Sequence, residues 1–215
     1  MSNGTVNLLI GLVMGLNLIA LGSSRLPSLI RTISAQGVTL GVMPLVLAKG
    51  NIEWGLVLVA LGTVAGKGLI IPALLRKATR AAAVEQENEP YIGFVSSLLL
   101  GAGGTIAAVA LAGALPLLPE HAGVLLVPGA IASVLTGFIL LIGRTKAISQ
   151  VCGFLILENG IYLFGMLLIR STPLMVESGI LLDVTVGVFV IGIIVDRIQR
   201  AFDSLDTRNL TTLRE

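Results

Sequence analysis

Residues 154–165 read FLILENGIYLFG, an apolar run broken at its centre by Glu158, Asn159 and Gly160. Working outward from Glu158, no other charge is met from Ala147 to Ile169, long enough for a helix to cross the hydrocarbon, which takes about 20 residues. Glu158 then sits near the bilayer midplane, where charge is most expensive. The whole chain has the same character. Hydrophobic residues make up 55% of 215, charged residues 12%, and the mean hydropathy is +0.98, a balance foreign to soluble domains of this size. The chain reads as an all-α polytopic membrane protein.

Seven stretches qualify as spans, at roughly 5–22, 30–48, 54–75, 92–114, 123–143, 147–169 and 174–196, leaving a polar tail at 197–215. With seven spans the termini fall on opposite sides. Arg25, Arg31, Arg76, Lys77, Arg80, Arg144, Lys146, Arg197, Arg200, Arg208 and Arg214 then share one side, against Lys49 and Arg170 on the other. This positive-inside bias predicts an outer N-terminus and a cytoplasmic C-terminus. No Lys or Arg precedes the first span, which is expected to stay in the chain. The basic residues cluster at span ends and form no nucleic-acid-binding block. RKATRAAAVEQENEP, 76–90, reads as a cytoplasmic loop. RTISAQG from Arg31 and RTKAISQ from Arg144 each open a span, short loop, span and basic end. That similarity predicts two parallel three-helix repeats, spans 1–3 and 5–7, joined by span 4.

Setting aside Arg31 and Asp196 at the very ends of their spans, four charged residues fall inside them: Lys67, Glu158, Glu177 and Asp183. A charge at a helix centre costs about 2.5–3.5 kcal/mol on insertion scales, so such groups face a protein interior or a wet cavity. Glu158 and Asp183 fall near the midplane of consecutive antiparallel spans, within proton-relay reach of each other. Lys67 lies slightly nearer the cytoplasmic end and supplies an ammonium that tunes both acids. Gln150 and Asn159 provide neutral hydrogen-bonding links, and Glu177 suits an outer mouth. The bland alternative is an ion pair that only locks helices together. His121 reads as a solvated loop residue and Cys152 as core, so neither a disulfide framework nor a metal or haem site can be built from this chain. Gly101, Gly103, Gly104 and Gly113 suit close helix packing. Pro44, Pro72 and Pro128 are expected to kink their spans.

With ENG at 158–160, GKGLIIPALL around Lys67, PLMVESGILLD ending at Asp183 and the terminal LDTRNLTTL in view, the chain resembles component E of the hydrogenase-4 type, a membrane subunit of group 4 nickel-iron hydrogenase and formate hydrogenlyase complexes. The part from 123 to 196 also looks like the K-type subunit of respiratory complex I and the C-type subunit of multisubunit cation/proton antiporters. The resemblance implies that Glu158 matches the first of two membrane-embedded acids, that Asp183 stands for the second, and that Lys67 matches a shared lysine. It further implies a non-catalytic subunit of the prokaryotic inner membrane, lying between the membrane anchor of a redox arm and an antiporter-like subunit. The nickel-iron centre and iron-sulfur clusters are expected in those partners, with no cofactor in this chain. Two other functions stay open at this point: a docking subunit without relay, and a subunit of a cation/proton antiporter.

Overall fold

A computed structural model of the chain describes residues 3–48, 54–81, 86–87, 89–115 and 124–168. Within them the structure is helical: α1 Asn3–Gly22, α2 Leu26–Leu47, α3 Trp54–Thr63 running through a π-helical segment Val64–Ile70 into α4 Ile71–Ala81, α5 Phe94–Ala114, α6 Leu126–Gly143 and α7 Ala147–Leu168. Among the described residues there is no strand, only an isolated bridge between Arg25 and Gln86. Six helical spans are long and apolar enough to cross a membrane, counting α3, the π segment and α4 as one. This is the architecture of a multi-pass membrane protein, in which each segment satisfies its own backbone groups. The six agree with the first six stretches expected from sequence; the seventh, 174–196, and the tail lie outside the described residues, and with them one of the three spans of the second repeat.

Two boundaries differ from expectation. α2 begins at Leu26, ahead of residue 30, because Arg25 is extended and Pro27 falls in the first turn, where a missing N–H does no harm. α4 runs on to Ala81, so Arg76, Lys77 and Arg80 ride on helix rather than loop. Pro128 likewise falls in the first turn of α6, where it leaves no kink to explain.

α2 lies at the middle of the bundle, flanked by α1, α7 and the α3–π–α4 span; α1 is flanked by α2, α5 and α6, and α6 packs against α7. The α6–α7 pair is close because glycines face backbone: a β-carbon at Gly153 would meet Leu141 N at 2.9 Å, and one at Gly160 would meet Val134 N at 2.7 Å. Of the four α5 glycines, Gly101 faces Leu21 and Gly104 faces Leu135, whereas Gly103 and Gly113 have nothing within 4 Å.

The core comes in two apolar layers. One, near the arginine-rich end, includes Leu21, Leu26, Ile30, Ile33, Leu75, Leu140, Cys152 and Ile156. The other, toward the opposite end, includes Val6, Ile10, Val13, Leu40, Met43, Leu126, Ala130, Leu163 and Met166. Along α1, α2, α6 and α7 the numbering leaves a gap between the layers at Asn17, Gln36, Ser133 and Glu158–Asn159, and every one of these is buried.

Candidate functional site

That gap holds the site. Lys67 enters it from the π segment, flanked by Gly66 and Gly68, and is 5% exposed; Glu158 enters from α7 and is 1% exposed. Lys67 Nζ lies 2.9 Å from Glu158 Oε1. The same ammonium donates to Asn159 Oδ1 at 3.3 Å and stands 5.3 Å from the centre of the Tyr162 ring, a cation–π distance. A wide π turn is uncommon and recurs at functional positions. Here it carries Lys67 into the bundle interior.

From Asn159 the hydrogen bonding continues through the protein. Asn159 Nδ2 donates to Gln36 Oε1 at 3.4 Å, Gln36 Nε2 to Asn17 Oδ1 at 2.7 Å and to the Val13 carbonyl at 3.5 Å, and Asn17 Nδ2 to Ser133 Oγ at 2.9 Å. One polar layer thus joins α7, the π segment, α2, α1 and α6. The three residues of the ENG motif act differently: Glu158 pairs with Lys67, Asn159 links the pair to Gln36, and Gly160 lets α7 close on α6.

Of the residues expected from sequence, Lys67, Glu158 and Asn159 come together. Gln150 does not join them. It lies in the first turn of α7, donating to the Arg144 carbonyl at 3.0 Å, eight residues and so about 12 Å along the helix from Glu158. The neutral link beside Asn159 is Gln36, on another helix. Asp183 and Glu177 lie outside the described residues, as does His121. Sequence reading missed Asn17, Gln36 and Ser133 as site members; the signal that could have found them was a buried-type polar residue near the middle of an apolar span.

A second polar cluster closes the arginine-rich end. Glu87, expected in a solvated loop, is 3% exposed and Arg144, expected only as a topology marker, is 1% exposed. Glu87 accepts from Thr145 Oγ1, from Lys146 N at 3.1 Å and from Ser149 Oγ at 2.7 Å, sitting at the N-terminal end of α7 where a negative charge is favoured. Burial pushes its carboxyl upward and is the largest single influence, but the hydrogen bonds from Thr145, Ser149 and the backbone outweigh it and hold it below the ordinary value. Arg144 donates to the Ile92 and Leu21 carbonyls at 2.9 and 2.6 Å and stacks 4.5 Å from the Phe94 ring centre. Burial draws its basicity down, with the Glu87 charge opposing. Among the described residues no group of His, Cys, Asp or Glu could hold a metal ion.

No family model matches the chain, and no solved structure matches it. It is 35% identical over 221 residues to Uncharacterized protein Rv0085 of Mycobacterium tuberculosis, an alignment covering 100% of both chains. Over 85 residues, 40% of this chain, it is 32% identical to hydrogenase-4 component E of Escherichia coli, covering 39% of that protein. The same figures hold for hydrogenase-4 component E of Shigella flexneri.

Proposed function

The chain belongs to the family of that mycobacterial protein, and from this premise we propose that it is a membrane subunit of a hydrogenase-type complex, with no catalytic site of its own, in which Lys67 and Glu158 carry protons. The observation that carries the reading is the 2.9 Å ion pair sealed between two apolar layers. An acid and a base at that distance exchange a proton without rearrangement: an N–H bond of Lys67 breaks, an O–H bond forms on Glu158, and both become neutral. From that neutral pair, release of the Glu158 proton to one side and uptake of another proton by Lys67 from the other restores the ion pair and gives net transfer. Moving a proton against 100 mV takes about 2.3 kcal/mol, so a modest change in a neighbouring charge is enough to drive the step.

The segment shared with hydrogenase-4 component E supports the assignment to a group 4 hydrogenase or formate hydrogenlyase assembly. In that assembly the nickel-iron and iron-sulfur centres belong to other subunits. An antiporter-like subunit and the membrane anchor of the redox arm are the neighbours. Asp183 is the second proton carrier and Glu177 an outer station. Arg25, Arg76, Lys77, Arg80, Arg144 and Lys146 sit at or near helix ends on a single end of the bundle, which supports a cytoplasmic location for that end in the inner membrane of a prokaryote.

The test is Glu158→Gln in the intact complex, with complex yield, hydrogen-linked turnover and proton movement recorded together in membrane vesicles. Normal yield with proton movement lost is the expected result. Normal values of all three would end the relay reading, and loss of assembly alone would make the pair a structural lock.

A further inference from the structure

The amide chain beside the ion pair has a direction, and chemistry fixes it. An ammonium has donors and no acceptor, so the Lys67 head must meet the oxygen of Asn159, which turns the Asn159 NH2 toward Gln36. Gln36 must therefore present its oxygen to Asn159 and its nitrogen to Asn17. The second contact of that nitrogen, with the Val13 carbonyl, requires the same orientation independently, because a backbone carbonyl only accepts. Asn17 in turn offers its oxygen to Gln36 and its nitrogen to Ser133 Oγ. All three amides point their oxygens toward Lys67 and their hydrogens away from it, and hydrogen bonds aligned in series polarise one another at low dielectric.

We propose that Asn159, Gln36 and Asn17 are positioning residues of the Lys67–Glu158 pair, a one-way amide chain anchored at Ser133 that favours its charged form over the neutral one. This rests on the reading of the pair as the proton-handling site and extends it to three further helices. In the charged form, three aligned dipoles face the ammonium with their negative ends. Once the proton passes to Glu158 Oε1, the Lys67 amine carries a lone pair and the charge that aligned the chain is gone. The chain thus opposes transfer at rest and yields when the proton moves. Gln36 is the keystone, since among the described residues its side chain alone bonds to both Asn159 and Asn17.

The experiment is infrared spectroscopy of the full-length protein in lipid nanodiscs, following the carboxylic-acid C=O band that disappears in Glu158→Gln. Lys67→Met, which removes the counter-charge, calibrates the neutral form. Gln36→Leu is expected to raise the carboxylic-acid fraction at neutral pH by about tenfold, as befits loss of hydrogen bonding around a charged group. Ser133→Ala, a small change that keeps the helix volume nearly intact, is expected to move the band the same way by less, and covers the case in which Gln36→Leu fails to fold. Leu163→Ala, in the apolar layer, should loosen the bundle without moving it. A band unchanged in Gln36→Leu, or in Ser133→Ala should the former not fold, while Lys67→Met shifts it, would overturn the inference and leave the proton-carrier reading standing. A band that moves as expected, with vesicle proton movement untouched in Glu158→Gln, would instead sink the carrier reading while the amide chain kept its effect on charge state.

Discussion

Gly37 on α2 lies against the backbone of Lys67 so closely that a β-carbon there would come within 2.6 Å of the Lys67 carbonyl carbon and 2.7 Å of its oxygen. The π segment can reach the centre of the bundle only because α2 has no side chain at this position, one residue from Gln36. Gly37→Ala must push backbone against backbone. The expected loss is about 1–3 kcal/mol, as for overpacking generally, read as a lower midpoint in denaturant-titrated micelles. Gly66→Ala, where a β-carbon meets nothing within 4 Å, is the matched control and should be neutral or stabilising.

The ion pair predicts a non-additive cycle. Glu158→Gln strands the Lys67 ammonium and Lys67→Met strands the carboxylate, and breaking a buried pair from one side costs about 3–5 kcal/mol. The double variant Lys67→Met/Glu158→Gln leaves no charge and should be more stable than either single variant. Additive losses in the same unfolding assay would contradict the burial of the pair.

Gly160 predicts a packing effect at the motif itself. A β-carbon there would press on Val134 N at 2.7 Å and Ala130 O at 2.8 Å, so Gly160→Ala should force α7 from α6 and lower the thermal unfolding temperature of the purified chain. Gly165→Ala, further along the same helix and with open space around it, should leave that temperature near wild type.

Glu87 predicts an acid-side dependence. Its folded-state carboxyl is held below the ordinary value of 4.5, so its contribution is present above about pH 4.5 and is lost as pH falls through the folded value. Glu87→Gln keeps the shape but weakens the bonds from Thr145, Lys146 and Ser149. It is expected to cost about 1–3 kcal/mol at pH 7 and to flatten the stability profile below pH 4.5 relative to wild type. Parallel profiles for the two proteins would show that Glu87 is not the titrating group.

Lys67, Glu158 and Asn159 are legible in the sequence because hydropathy makes a charge or amide in an apolar run conspicuous, and depth along a span follows from counting residues. Gln36, Asn17 and Ser133 are less so: neutral polar residues are tolerated in spans, and nothing in a linear pattern says which of them face one another. Gln150 reads as a link because it is close in sequence to Glu158, but two turns of helix carry it away to the Arg144 carbonyl.

The sequence by itself determined the class of the protein, the positions of six spans that the structure describes and the presence of costly charge near their centres, because these depend on local composition and on the length needed to cross hydrocarbon. Only the tertiary structure decided the partners. Lys67 and Glu158 are 91 positions apart and meet at 2.9 Å, and Asn17 reaches Ser133 across 116. Such pairings depend on how far each helix is rotated about its axis and how closely glycines let it approach its neighbours. Glu87 and Arg144 make the same point: charge alone marked them as surface residues, and the fold buried both by closing the ends of α1, α5, α6 and α7 around them.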